Sequence, residues 1–503
     1  MTKLSKILNL NQLKYKIKNI KKISLVHGVF DVLHIGHKRH FDVAKSYSDF
    51  LVVSITSDEY VRKGPNRPVF NHFHRAEMLA SFESIDAVII NYDVTSIELI
   101  NNIKPSFYFK GNDYKNLDGD ITNNIKAEIS AVKKIGGDII FTNDIQFSSS
   151  KVINQNFIPL NFGNLKITKK ADFFKNECFD ALNKIKNLKV AVIGEMIFDK
   201  YIKCSELEKP SKEMIQAVEV RDYKIYPGGS FAIARNIAEF SSNVDLFIAG
   251  KFSRSDINFL KKSNLKNINL NIFKDEYNSI TKSRFLNDSG RKLFEIYERS
   301  GKKRDFSSTR FQSILKKKLS KYDLVILADF GHGFLNDDLI DIIQKNSRFL
   351  SINAQTNADN RGFNLITKYK TCDSVIIDQP ELRLAMIDKR GSVESLSKKL
   401  LNKIKVSNLM TTMGKDGIHL SIKKNKNKYL FFNLPAFENS PVDTMGAGDA
   451  VFGIASLLFK IKADPKVTIF LSNIFGALAT KIIGHESYIK RIEVEKSIQY
   501  LLK

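Results

Sequence analysis

The short apolar run Ile23-Ser24-Leu25-Val26 stops at His27-Gly28, and within eight residues the spacing of Gly36, Phe41 and Ala44 has become helical. A buried strand that turns into a helix opens a βαβ unit. Its carboxyl end then carries the stretch HGVFDVLHIGH, residues 27–37. This places His34 and His37 at a helix N-terminus, where unpaired backbone N–H groups and the positive end of the helix dipole favour an anion. Glycine between the histidines suits a close approach by phosphate.

The alternation continues. Residues 50–55 read as a second strand closed by Thr56-Ser57-Asp58, and 63–68 form a breaker-rich loop. A helix follows over about 73–82, carrying Arg75, and further strands cover 87–90, 107–110 and 139–141. Repeated strand and helix predict a Rossmann-like, doubly wound parallel sheet with ligands at the carboxyl ends of its strands.

The 503 residues call for two or three domains, and 43% hydrophobic with 26% charged residues is a globular balance. The net charge of +25 is spread along the chain with no single basic arm, so nucleic acid is not an expected partner. A basic surface that attracts phosphorylated substrates is. Cys178, Cys204 and Cys372 stand far apart with no CxxC pair, which excludes a familiar zinc site or disulfide framework and fits the cytoplasm. Residues 1–22 read as an amphipathic surface helix without a run long enough for a signal or membrane segment. His34, His37 and His40 recur at a spacing of three, but no carboxylate or Cys beside them completes a metal ligand set. His40, His72 and His74 read as structural.

His34-Ile35-Gly36-His37 matches the HxGH signature of the nucleotidyltransferase superfamily. With Lys110-Gly111-Asn112-Asp113-Tyr114 and Phe147-Ser148-Ser149-Ser150-Lys151 in the same order and spacing, residues 22–154 resemble the adenylyltransferase domain of the bifunctional ADP-heptose synthases. The resemblance implies that His34 and His37 are catalytic and that the backbone of Gly28, Val29 and Phe30 holds the triphosphate. It further implies a phosphate contact for Lys110 and, for Ser148, Ser149 and Ser150, hydroxyls and a helix start at the distal phosphates. Independently, those serines before Val152-Ile153 read as an N-cap and an apolar turn.

The periodicity changes between 154 and 187. The expected organisation is a nucleotidyltransferase domain over 1–154, a helical linker over 155–187, and a second α/β domain over 188–503. In the latter, Asp443-Thr444-Met445-Gly446-Ala447-Gly448-Asp449 puts three small residues at a helix start, where backbone N–H groups can surround a transferring phosphoryl group. Asp449 stands beside that anion hole, placed to accept a proton from an attacking hydroxyl.

This stretch matches the DTxGAGD signature of the ribokinase-like sugar kinases, and from Gly194 onward the chain resembles that family, most closely the kinase half of ADP-heptose synthase. The resemblance implies phosphate contacts at Gly446, Ala447 and Gly448, and a nucleotide border at Thr412, Gly414 and Gly417. It implies sugar contacts at Asp199, Gly228, Gly229 and Asn236, and a Glu381 that organises Mg²⁺ through water. A small β lid over 201–226 would cover the substrate and form a dimer interface. Asp329-Phe330-Gly331-His332-Gly333 is not a protein-kinase motif, because no glycine-rich loop or HRD accompanies it. Four positions depart from the pattern: Glu195 for Asp, Ala232 for Asn, Asn353-Ala354-Gln355 for Asp-Pro-Lys, and Asp378 for Asn. The order of the halves is also reversed, transferase first.

The resemblance thus implies a bifunctional enzyme that phosphorylates a sugar or sugar phosphate, such as a heptose 7-phosphate, at O1. It then transfers AMP from ATP, or CMP from CTP, to the sugar 1-phosphate, with Mg²⁺ in both steps. Two other readings stay open: a glycerol- or alditol-phosphate cytidylyltransferase with a degenerate kinase domain, and a non-catalytic nucleotide-binding regulator.

Overall fold

The computed structural model describes residues 3–111, 124–142, 171–208, 215–277, 279–301, 305–425 and 428–502. Asn112 to Tyr114, Ser148 to Ser150 and residues 155–170 of the expected linker lie outside the described residues. The chain divides into two compact units, residues 1–160 with 495–503, and residues 161–494.

In the first unit, strands β1 (Ile23–Gly28), β2 (Phe50–Thr56), β3 (Ala87–Asn91), β4 (Phe107–Gly111) and β5 (Asp138–Thr142) form one parallel sheet in the order β3-β2-β1-β4-β5. Successive side chains of a strand point to opposite faces. Leu25, Val52 and Tyr108 therefore enter one buried cluster with Leu99 and Val132, and Val26, Val53 and Phe109 enter another with Phe41 and Leu79. Both faces are covered, as the near-continuous apolar strands require. The strand order reverses between β1 and β4, so a crevice opens where His27 and Gly28 end one strand and Lys110 and Gly111 end its neighbour.

The second unit continues with β6 (Lys189–Gly194), β7 (Met196–Glu206), β8 (Val218–Gly229), β9 (Asn243–Gly250), β10 (Ile268–Lys274), β11 (Ile280–Leu286) and β12 (Lys292–Arg299). Then follow β13 (Leu324–Asp329), β14 (Leu350–Ala354), β15 (Ser374–Asp378), β16 (Asn408–Thr412), β17 (Ile418–Asn425) and β18 (Lys428–Leu434). Nine of these make the main sheet, β10-β9-β6-β13-β14-β15-β16-β17-β18, parallel except for the antiparallel pairs at β17 and β18. The helix Ala171–Lys184, expected in the linker, lies within this unit and sets Phe174 against Phe470, ring centroids 5.3 Å apart.

The remaining strands form a separate four-stranded lid, β12-β11-β7-β8. Here the sequence reading needs correction. The lid begins at Met196 instead of Tyr201, and the hairpin of β11 and β12 supplies half of it. Asp199 consequently lies inside a lid strand.

Candidate functional sites

In the first unit the loop after β1 is held from below by two buried arginines. Arg75, on the helix His72–Ala80, donates to Val29 O at 2.5 Å, Phe70 O at 2.9 Å and Thr56 O at 2.9 Å, and pairs with Asp58 at 2.6 Å. Arg67 Nε donates to Asp31 Oδ2 at 2.7 Å, while the other Asp31 oxygen accepts from Val69 N at 2.7 Å. A buried charge so paired fixes backbone position, because losing either partner strands the other. Phe30 takes the left-handed conformation, φ 50°, and its ring folds over Gly28, where a Cβ would stand 2.9 Å from Phe30 Cζ.

His34 is the N-cap of the helix Ile35–Ser46, and its backbone N–H donates to His37 Nδ1 at 3.3 Å. That bond leaves the proton of a neutral His37 on Nε2. The two imidazoles stack with centroids 3.9 Å apart, and Phe30 closes on His37 edge-on at 5.4 Å. Burial, then the neighbouring His34 and Lys63, push the His37 pKa down to about 3, and burial also lowers that of His34. His37 is therefore a neutral hydrogen-bond donor at a helix start. Lys110 Nζ, by contrast, meets Glu128 Oε2 at 2.9 Å. Burial alone would raise the Glu128 carboxyl, but Lys110, His27 and the bond from Ser96 bring it to about 2. The charge of Lys110 is thus already matched inside the protein.

In the second unit a cavity of about 690 Å³ gathers Asp199, Gly229, Glu381, Thr412, Gly414, Gly417, Gly446, Ala447, Gly448 and Asp449. Gly446 is the N-cap of the helix Ala447–Lys460 at φ 74°, and a Cβ there would approach His485 Cε1 to 2.6 Å. Asp449, in the first turn, is pushed up to about 6 by burial and the Asp199 charge, against the opposing pull of His485 and Lys282. It is basic enough to take a proton near neutrality.

Gly228 and Asn236 do not line the cavity. Gly228 makes room for Asp199, whose Oδ2 would lie 1.9 Å from a Cβ at that position, and Asn236 Oδ1 accepts from Ile489 N at 3.3 Å. Asp199 pairs with Arg284 and with His485 Nε2 at 3.3 Å. Burial would raise its carboxyl; His485 and Arg284 hold it at about 2.

Lys282, Arg284 and His485 all reach the cavity, and none was singled out from the sequence. The stretch 280–286, ITKSRFL, has no apolar alternation to mark the strand that carries the first two. Nothing in the TKIIGHES stretch around His485 marks it.

Three of the departures from the family pattern, Glu195, Asn353 and Asp378, make hydrogen bonds within the protein. Glu195 accepts from the backbone of Phe330 at 2.8 Å, His332 at 3.0 Å and Phe334 at 3.4 Å, clamping the loop that follows β13. Burial and Asp329 push it up to about 7. Ala232 is buried in the helix Ser230–Ala238, and Asn353 Nδ2 donates to Ile376 O at 2.8 Å. Asp378 caps the helix Gln379–Met386, accepting from Glu381 N at 2.7 Å and donating its own N–H to Glu381 Oε2 at 2.8 Å. Glu381 Oε1 accepts from Thr356 N at 2.9 Å. Burial and Asp378 raise the Glu381 carboxyl to about 8.

Comparison with known proteins agrees with this geometry. A cytidylyltransferase-like family model matches residues 25–155, and the pfkB family carbohydrate kinase model matches residues 187–480. Bifunctional protein HldE of Aliarcobacter butzleri is 40% identical over 131 residues, 25% of this chain and 27% of that protein. HldE of Campylobacter jejuni RM1221 is 43% identical over 113 residues, 22% of this chain and 24% of that protein. The chain therefore spans about a quarter of the length of these curated relatives. Escherichia coli phosphofructokinase-2 in complex with potassium superposes with TM-score 0.51 at 14% identity, covering 63% of this chain and 100% of that one, which shows the fold. With the cavity, its helix start and its lid in place, the chain belongs to the pfkB family of carbohydrate kinases and carries a cytidylyltransferase-like domain ahead of the kinase.

Proposed function

We propose that the two units catalyse consecutive steps. The kinase unit phosphorylates a sugar or sugar phosphate, of the heptose 7-phosphate kind, at its anomeric oxygen. The O1 oxygen bonds to the γ-phosphorus of ATP, the bond to the β–γ bridging oxygen breaks, ADP leaves, and Asp449 takes the hydroxyl proton. Asp199 and Gly229 orient the sugar, while the N–H groups of Gly448 and Asp449 receive charge developing on the phosphoryl oxygens. In the transferase unit the sugar 1-phosphate attacks the α-phosphorus of ATP, pyrophosphate leaves, and a nucleotide-activated sugar for cell-surface polysaccharide results. His34 and His37 donate to the triphosphate there, beside the backbone of Gly28 to Phe30.

The observation that carries the kinase reading is that Asp449, at a helix start, shares one cavity with Asp199. Mg²⁺, when bound, neutralises triphosphate charge in both steps and takes most of its ligands from phosphate and water. Glu381 fits an outer position, since both of its oxygens already accept backbone N–H groups and would reach the ion through water. A cytoplasmic location accords with ATP as substrate and with three free, buried cysteines.

Incubation with ATP or CTP and a panel of hexose and heptose phosphates, followed by phosphorus NMR, tests the scheme. The expected products are ADP with a sugar 1-phosphate, then pyrophosphate with a nucleotide sugar. Pyrophosphate release from CTP with an alditol phosphate, and no kinase product, would favour the cytidylyltransferase reading; nucleotide binding without turnover would favour the regulator.

A homodimer through the lid belongs to the same proposal. On the lid face away from the cavity, cross-strand pairing aligns Ile225 and Ile296 on one rung and Tyr223 and Phe294 on the next, all exposed. A second copy packing its lid there would cover this apolar stripe. Sedimentation should show a wild-type dimer and an Ile225→Asp, Ile296→Asp monomer; a monomeric wild type would remove the interface.

A further inference from the structure

We propose that Lys282 selects the kinase's acceptor by charge, serving as counter-ion to an anionic group, phosphate ester or carboxylate, that the sugar carries away from the hydroxyl to be phosphorylated. The inference rests on the kinase reading above and adds to it a residue that decides which sugars enter.

Lys282 lies on β11, paired in register with Asp199 on β7 and with Tyr297 on β12. It is 6% exposed, and its side chain lines the cavity. Of the three carboxylates whose charge reaches it, Asp449 shares the cavity without a direct contact, and the other two are engaged elsewhere. Asp199 pairs with Arg284 and His485, and Glu295 meets Arg284 Nε at 2.8 Å. No hydrogen bond or ion pair joins the Lys282 ammonium to any described residue; its near neighbour is the Tyr297 ring, 5.1 Å away. A buried ammonium with no carboxylate in direct contact is strongly unfavourable. Burial accordingly lowers its pKa, helped by the charge of Arg284 and opposed by that of Asp199 and, more weakly, by those of Glu295 and Asp449.

An anion arriving in the cavity relieves that penalty, and a neutral sugar does not. The location points to the acceptor. The lid strand β7 follows β6, whereas the turn at Thr412 to Gly417 that borders the nucleotide follows β16, four strands further along the sheet. An anion at Lys282 therefore belongs to the sugar's end of the cavity, next to Asp199.

The test uses the full chain with ATP and two matched sets of acceptors, mannose with mannose 6-phosphate and glucose with glucuronate, with sedoheptulose 7-phosphate as a longer phosphate. ADP release gives kcat/KM, and calorimetry gives binding even if turnover is absent. Wild type should favour one anionic acceptor over its neutral partner, with phosphate and carboxylate arms showing which anion is read. Lys282→Met should reduce that preference about a hundredfold, mainly through KM, as expected for a lost charged hydrogen bond. Lys282→Arg should restore most of it. Equal use or equal binding of neutral and anionic acceptors by wild type would overturn the proposal. So would a Lys282→Met variant that loses both in parallel, which would mean a general role toward ATP or Asp449, and so would failure to bind any anionic sugar in the set. Binding preference without ADP release would leave Lys282 its role and remove the kinase reading alone.

Discussion

Asp449→Asn is expected to lower sugar phosphorylation by about three orders of magnitude, the middle of the range for loss of a general base. The substitution keeps the side chain's size and most of its hydrogen bonding, so the helix start at Gly446 and the cavity should persist, and only basicity is removed. Acid should act on the wild type in the same sense. Because burial and Asp199 place the Asp449 pKa at about 6, kcat/KM for phosphorylation should fall as pH drops below that value, when the carboxyl becomes protonated. The residual activity of Asp449→Asn should lack this limb. ADP release measured between pH 5 and 9 reads both effects. Given sugar 1-phosphate, the same variant should form nucleotide sugar at a near wild-type rate, since HIGH and DTMGAGD lie in different units. Retained phosphorylation would remove the proposed base, and parallel loss of nucleotidyl transfer would show that the two chemistries are not separable.

His37→Ala is expected to slow nucleotidyl transfer by about a hundredfold or more, the usual effect of removing a donor aimed at developing transition-state charge. The structure adds a condition absent from the sequence reading. With a pKa near 3 in the free protein, His37 acts uncharged, so kcat/KM for pyrophosphate release should show no histidine-like limb between pH 5 and 8. A limb near 6.5 that disappears in His37→Ala would mean that the imidazolium is the active form. Wild-type pyrophosphate release from the variant would dispose of the assignment altogether.

What could be read in advance depended on how local the signal was. The parallel sheet of the first unit and the helix starts at His34 and Gly446 follow from apolar runs interrupted by glycine and from residues adjacent in the chain, and these the sequence displays directly. The lid hairpin of β11 and β12 escaped notice because β11 is polar on both faces, Lys282 and Arg284 toward the cavity and Thr281 and Ser283 on the other side, with no apolar stripe to announce a strand. With it went Lys282 and Arg284. His485 was missed for a related reason, since its meaning comes from Asp199, 286 positions earlier by numbering, and no periodicity spans that distance. For Lys110 the sequence supplied the strand end but could not show Glu128, on the next helix, taking its charge.

The lid is also a statement about folding order. Its inner pair, β7 and β11, is parallel and joins segments that flank β9 and β10, two strands of the main sheet; the Asp199–Arg284 contact spans 85 positions. Parallel pairing over such a distance cannot nucleate locally, because the entropy of closing the intervening chain is lost before the contacts form. The lid's wall of the cavity is therefore assembled only after the sheet beneath it has brought the two segments together. For the same reason the lid is not a cassette: grafting another kinase's lid onto this chain would require replacing two separate stretches, 196–229 and 280–299, at once.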